Sequence, residues 1–582
     1  MTEDSMIDVG SVADLDAAGV LVASGADRPL AVFRDGDSIR VIDNRCPHLG
    51  FPLHKGTIKD GVLTCHWHHA RFDLCSGCAF DLFADDVPIF AVELNGDRIL
   101  VGRSPVRSGG RDYLFGRLAK GLEQNIGLIQ AKSIISLLQE GVAVREILVE
   151  VARFGGRNHE QWTDGMTSLA LVGNLWFWLS SDTRILALAY ATRRLAGNCS
   201  GQPARRERRS LDGAEVQPER LRRWLDQFLV VRHRDATERT VLTAALNHPA
   251  TDVLNDMLFG AVSGRIFANG GHMLDFLNKA FELLGHIGWE LAPEVLPTLI
   301  SQWVGARGGE EAGAWRNPID LVAIIRRVEA RLPDILNSST TASGREPDRG
   351  LRSVLLSDDP EVIVSGLIRA IESGVPVIRV MREVCLAAAI RLVQFPESND
   401  LGDWFDPVHT FIYCHAVHQS LNRSVSFDTV RGLFHAALAV YKDRFLNLPP
   451  APLPSKQSDF QGLPTEAEAL LEAMKTATNF KQGLHYLPDL VVRYLRCGHD
   501  ITALVDTLAV LTLREDLDFH KLQVLEAVVR QSQAWGGEGT AENELLFAAV
   551  ARHLAAHCPT PRSESKMTRT AVRLNRGDAI HE

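Results

Sequence analysis

Hydrophobic and polar positions change their period once along this chain, near residue 110. Before that point, short apolar runs alternate with polar residues. Residues 28–34 (RPLAVFR), 39–43 (IRVID), 61–65 (GVLTC), 87–94 (VPIFAVEL) and 98–102 (RILVG) read as strands. Asp35-Gly36, Asp60-Gly61 and Asn95-Gly96 supply the tight turns between them, because Gly, Asn and Asp tolerate positive φ. The segment GRSPVRSGG at 102–110 reads as a linker. From about 112 to 557 the apolar residues recur with the 3.6-residue period of helices. Breaks in that pattern fall at 197–216, 338–350 and 448–464, and the polar segment 559–582 reads as a disordered tail. The predicted organisation is α+β and multidomain. A small antiparallel β domain over 1–106 precedes a large, mainly helical domain over 112–557.

The helical part carries a faint internal repeat. GVAVREILVEVARFG from Gly141 resembles GVPVIRVMREVCLAA from Gly374, and HPATDVLNDMLFGAV from His248 resembles HDITALVDTLAVLT from His499. After each of these helices a second one is expected near His159, His272, His409 or His520. Stacked helix pairs sharing one core would read this way.

Composition narrows the picture. The chain has 582 residues, too many for one core, and a net charge of −10. An acidic balance gives no basic field for nucleic acid; it suits docking onto a basic protein surface. Nine cysteines in this length are not a disulfide framework. No apolar h-region opens the chain and no 18-residue apolar run appears. GNLWFWLSS is too short to cross a bilayer and reads as core. A cytoplasmic protein with neither a membrane nor a nucleic-acid partner is expected.

The most specific chemistry is Cys46-Pro-His48 followed, sixteen residues later, by Cys65-His-Trp-His68. Two thiolates and two imidazoles in paired short loops suit a [2Fe–2S] cluster with cysteines on one iron and histidines on the other. Zinc is the alternative, since two cysteines and two histidines also bind Zn²⁺ tetrahedrally. Zinc fingers, however, keep like ligands together, whereas each loop here supplies one of each. Cys75-Ser-Gly-Cys78 could be a redox pair, but Ser76-Gly77 is a turn signal and places both cysteines on a hairpin.

The stretch CPHLGFPLHKGTIKDGVLTCHWHHARFDLCSG, with Gly50, Gly56, Phe72, Asp73 and Gly77, closely resembles the cluster-binding core of Rieske proteins. The resemblance covers roughly residues 8–103. It implies a [2Fe–2S] cluster held by Cys46, His48, Cys65 and His68. Phe51 and Trp67 stand where high-potential members carry a disulfide, and Ala70 where they carry a serine hydroxyl. Fewer hydrogen bonds to sulfur mean a lower potential. The resemblance therefore leans toward the oxygenase and ferredoxin branch, and implies an electron-donating reductase or ferredoxin as partner.

Such a cluster passes one electron at a time and needs an acceptor. A second non-haem iron in the helical part would typically use two histidines and a carboxylate. Asp406-Pro-Val-His409, with His415 six residues on, resembles the iron-site motif of Rieske ring-hydroxylating oxygenases. A bland reading makes Asp406 an N-cap and Pro407 the first residue of a helix. A second stripe, His272, Asp275, Lys279, Glu282 and His286, falls within about 80° on one helix. It could ligate a metal or be an ordinary solvated face. No Glu-x-x-His and no Gly-rich dinucleotide fingerprint accompany them. Two functions remain. The first is an oxidoreductase of the oxygenase type, in which the cluster feeds a helical domain that oxidises a small organic substrate. The second is an electron-carrier or redox-sensing module fused to a non-catalytic helical scaffold. A convergent, buried His/carboxylate cluster favours the first.

Overall fold

The turn dipeptides set the register of the N-terminal sheet. In this computed structural model, which describes residues 6–106, 110–211, 217–247, 251–338, 345–446, 449–454, 460, 462–537, 539–576 and 578, nine strands are present among the described residues. They are β1 (Met6–Ser11), β2 (Val20–Ser24), β3 (Pro29–Asp35), β4 (Ser38–Asp43), β5 (Thr57–Lys59), β6 (Val62–Thr64), β7 (Arg71–Asp73), β8 (Ile89–Asn95) and β9 (Arg98–Pro105). Six form an antiparallel sheet in the order β1-β9-β8-β4-β3-β2, and β5-β6-β7 form a second. Asp60 and Gly61, both at positive φ, close the β5–β6 hairpin as a primed turn requires. Ala31 and Phe33 pack on one side of β3 with the cluster loops, while Leu30 and Val32 pack on the other with Val9, Leu15 and Ile99. A strand buried on both faces needs an unbroken apolar run, which is why PLAVF does not alternate. The strands β1, β2, β5 and β7 escape the sequence pattern; three of them are five residues or fewer.

The chain divides into two units, Met1–Ile147 with Ser565–Glu582, and Leu148–Glu564. The first therefore extends past the linker expected at 102–110, of which 107–109 lie outside the described residues. It includes the helices Arg111–Glu123 and Gly127–Gln139, which pack together. The expected disordered tail is a correction: Glu564–Arg576 is a helix. Ala571 is buried, and a Cβ at Gly50 would come within 3.1 Å of Leu574 Cδ2. Polar composition hid a narrow covered face of small residues, Ser565, Thr568 and Ala571. Residues 577 and 579–582 lie outside the described residues.

The second unit is helical. The expected break at 197–216 separates helices ending at Cys199 and starting at Pro218. That at 338–350 separates Ser338 from Leu351, and that at 448–464 precedes the helix from Ala467. Residues 212–216, 339–344, 447–448, 455–459 and 461 of these stretches lie outside the described residues. Four helices that follow the sequence repeats form a closed ring: Asp164–Leu175 touches His272–Ile287, which touches Leu401–Arg423, which touches His520–Ala534, which returns to Asp164–Leu175. GNLWFWLSS is only partly core, for Phe177 is 86% exposed. No helix among the described residues is long and apolar enough to cross a membrane.

Candidate metal centres

Two loops of the same design carry the N-terminal ligand set. The Cys46 N–H donates to the Phe51 carbonyl (2.8 Å), and the Cys65 N–H donates to the Ala70 carbonyl (2.9 Å). Each five-residue closure turns its cysteine inward: Cys46 and Cys65 are buried, whereas His48 is half-buried and His68 exposed. The backbone N–H groups of His48 and Leu49 point at the Cys46 sulfur, and those of Trp67 and His68 at the Cys65 sulfur. The two thiols hydrogen-bond to each other, so one holds the proton tightly while the Cys65 thiol falls to about 6. The His48 and His68 rings meet edge to face with centroids 4.8 Å apart. Burial, then the charges of His68 and Lys132, lower His48 to about 4, which keeps it neutral. Its Nδ1 is buried without a hydrogen-bond partner.

This donor set fits a [2Fe–2S] cluster. Two cysteine sulfurs lie inside, two imidazoles lie outside, and backbone N–H groups point at the sulfurs. At the positions of the disulfide in high-potential members, Phe51 and Trp67 meet with ring centroids 6.0 Å apart. Ala70 is buried and offers no hydroxyl. Cys75 and Cys78 are not bonded to each other, and the 73–77 turn closes through Gly77 N–H to the Asp73 carbonyl (2.8 Å). They are hairpin residues.

The helical unit holds a second concentration of ligand-type side chains, stacked along its four-helix ring. The stripe on the helix His272–Ile287 is buried rather than solvated: Asp275 and Lys279 are fully covered and Glu282 nearly so. At one level His272, His409 and His520 converge, each offering a ring nitrogen within 4.8 Å of the others. His409 Nε2 lies 3.2 Å from His520 Nε2, and the His272 and His409 centroids are 4.4 Å apart. Carboxylates face the far nitrogens: Asp518 Oδ1 is 3.1 Å from His520 Nδ1, and Asp275 Oδ2 is 3.6 Å from His272 Nδ1. Asp275 is itself fixed by Gln523 Nε2, at 2.8 and 2.9 Å. Burial, then the charges of His272 and His520, hold His409 far below the ordinary imidazole value.

One to two turns further along lies a second group. Lys279 Nζ donates to Glu282 Oε2 (2.8 Å) and Glu526 Oε2 (2.6 Å), and His415 Nε2 is 3.9 Å from Glu526. Asn174 Nδ2 bridges the same carboxylates at 2.8 and 2.7 Å, and His286 Nε2 meets Asn174 Oδ1 at 2.7 Å. Burial opposes every charge here. For Glu282 the ammonium of Lys279 outweighs it and keeps the carboxyl low, while Glu526 is pushed up.

Of the expected second-site residues, the structure brings His272 and His409 together and places Glu282 and His415 in the other group. His286 supports Asn174 and joins neither. Asp406 is exposed. The Asp406/His409/His415 motif therefore does not converge. Its helix also starts earlier than the bland reading has it: Asp400 is at the N-cap and Pro407 lies inside, because Trp404 in the first turns packs on Phe395 (4.7 Å). His520 entered the sequence reading only as a helix start; Glu526, Asn174 and Asp518 were absent from it. A signal existed: His415 follows His409 by six residues, as Glu526 follows His520.

Residues 5–90 match the family model described as a Rieske [2Fe-2S] domain. The ferredoxin component of the naphthalene 1,2-dioxygenase system of Pseudomonas aeruginosa is 26% identical over 105 residues, 18% of this chain and 100% of that protein. A 4beta-methylsterol monooxygenase of Methylococcus capsulatus is 38% identical over 50 residues, 8% of this chain and 14% of that protein. The chain thus spans only a small part of that relative, as of human apoptosis-inducing factor 3, of which it covers 12%. A solved ferredoxin of carbazole 1,9a-dioxygenase from Nocardioides aromaticivorans is 27% identical, with a TM-score of 0.16, covering 17% of this chain and 98% of that one. Residues 5–90 of this chain are a Rieske [2Fe–2S] domain, followed by a large helical region.

Proposed function

We propose that the protein is an oxidoreductase in which the [2Fe–2S] cluster, reduced by a reductase or ferredoxin, delivers electrons to the helical unit, and that the helical unit oxidises a small organic substrate. The observation that carries this reading is the buried polar stack on the four-helix ring. A structural scaffold has no use for His272, His409, His520, Lys279, Glu282 and Glu526 in its centre, where each polar group must be compensated. In a dioxygen-dependent hydroxylation, R–H, O₂, two electrons and two protons give R–OH and water. The cluster carries one electron per cycle, so it would turn over twice per product. Cys46, His48, Cys65 and His68 would hold the cluster, and imidazoles in place of two thiolates would give it a potential above that of an all-thiolate site.

The test is direct. Reduced protein is expected to give the low-g-average EPR signal of a Rieske cluster, lost or altered in His48→Cys. With NADH, a ferredoxin-type reductase and panels of aromatic and aliphatic substrates, dioxygen uptake should couple to products heavier by one or two oxygen atoms. A colourless, zinc-containing protein would remove the electron-transfer role. A reducible cluster with no substrate-dependent oxygen uptake would leave an electron carrier on a helical scaffold.

A further inference from the structure

The geometry points to a mononuclear site for a divalent first-row transition metal ion, built by His272, His409 and His520. It rests on the oxidoreductase reading for its purpose, but on its own residues for its existence. The donor atoms meet the distance requirement: bonds of about 2.1 Å to His409 Nε2 and His520 Nε2, held 3.2 Å apart, would subtend roughly 100° at the ion. Without an ion, this pair of facing nitrogens can share only one proton. The His520 nitrogen turned away, Nδ1, has Asp518 Oδ1 3.1 Å from it, so a carboxylate stands behind this ring while its Nε2 faces His409. A set of three imidazole nitrogens suits Zn²⁺, Fe²⁺, Cu²⁺ or Ni²⁺ and discriminates against Mg²⁺ and Ca²⁺.

The backbone before His272 is a second, independent sign. Phe267, Asn269, Gly270 and Gly271 all sit at positive φ (45°, 53°, 64° and 90°). For a Phe this is an outlier, and such strain persists where surrounding contacts over-determine it, most often at functional sites. Here the contacts are Tyr413 and Trp315 against the Phe267 ring, at 4.9 and 5.8 Å. A Cβ at Gly270 would come within 3.3 Å of His409 Nδ1, so the loop is shaped around the imidazole. Phe276, Phe405 and Phe519 enclose the three rings.

The neighbouring Glu282/His415/Glu526 group is not a second ion site on the same footing. The Lys279 ammonium already lies between its carboxylates, 2.8 and 2.6 Å away, where a cation would go.

Full-length protein with its cluster intact is loaded with one equivalent of Zn²⁺ and examined at the zinc K-edge, where cluster iron does not interfere. Three imidazole nitrogens near 2.0–2.1 Å and no sulfur are expected. His409→Ala and His520→Ala, checked for folding by circular dichroism, should each weaken Zn²⁺ binding at least about tenfold and change the nitrogen count. A sulfur-containing shell would place the zinc in the cluster loops; a carboxylate-dominated shell would place it at Glu282 and Glu526. Either result, or equal binding by wild type and both variants, overturns the site. The wild-type spectrum decides even if a variant fails to fold. Loss of the tris-histidine shell with the Rieske EPR signal intact sinks the metal site alone, whereas loss of the EPR signal with the shell intact sinks the electron-transfer reading alone.

Discussion

Replacing Lys279 with methionine keeps the length and bulk of the side chain and removes one charge. Lys279 and Glu526 are fully buried and Glu282 is 7% exposed, so water cannot take the place of the ammonium. At an effective dielectric near 20, a unit pair at such contact distances attracts by roughly 6 kcal/mol before desolvation is subtracted. Deleting one partner of a buried ion pair costs about 3–5 kcal/mol, because the remaining charge stays buried. Two mitigating groups are at hand: Arg530 and Arg423 also lower Glu282. The variant's cheapest escape is to protonate a carboxylate, and this sets the sign of its pH dependence. A carboxyl whose folded value is raised above its unfolded value near 4.3 stabilises the fold only while protonated, so stability is lost as pH rises, by about 1.4 kcal/mol per unit over the shifted interval. Lys279→Met should therefore be less stable than wild type by several kcal/mol at pH 8 and by clearly less at pH 5. Urea unfolding followed by far-ultraviolet circular dichroism reads both values. The double variant Lys279→Met/Glu526→Gln should recover a large part of the loss at pH 8. A deficit below about 1 kcal/mol, or one of equal size at both pH values, would show that the lysine does not compensate these carboxylates.

Three other outcomes follow from residues described above. The midpoint potential should lie near the low end of the Rieske range, about −150 mV, and Ala70→Ser should raise it by supplying a hydroxyl near the cluster; a wild-type value near +300 mV by voltammetry would refute the hydrogen-bond argument. Burial raises the Asp443 carboxyl to about 7 against the pull of Thr410, Lys442 and Arg391 and with the push of Asp406. Its contribution is present below about pH 4 and lost as pH rises toward 7, so thermal unfolding of Asp443→Asn should fall less between pH 5 and pH 8 than that of wild type. Phe51→Ala should leave Cys46, His48, Cys65 and His68 in place yet loosen the loops, seen as faster loss of the visible cluster absorption on heating; an unchanged loss rate would dissociate the aromatic pair from loop closure.

The Rieske domain was legible because its ligands are local. Two short segments, Cys46–His48 and Cys65–His68, carry the entire donor set, and tight turns fix the strands that present them. The helical site was half legible. The stripe from His272 to His286 showed its single face on one helix, but the same face reads alike whether it meets water or another polar face. Only the closed ring of four helices decides this, and that ring depends on contacts between residues up to 352 positions apart, such as Asn174 with Glu526. Glu526 stands in a helix whose other residues are mixed, and nothing local marks it. The start of the helix at Leu401 was missed because Pro407 imitates a first-turn residue. The helix Glu564–Arg576 was missed because a narrow stripe of Ser565, Thr568 and Ala571 is covered where a longer apolar face would be expected.

The contact between Phe51 and Trp67 has a consequence for what can open the cluster site. A covalent latch fails when a cell's thiols reduce it, so a protein relying on one ties its iron chemistry to the compartment's redox balance. Two tilted rings in contact ignore reductants altogether. Apolar contact of this kind responds instead to temperature, chaotropes and competing greasy surfaces. With Trp67 38% exposed, the clasp is also open to solvent on one side, so its strength varies with what the solvent contains.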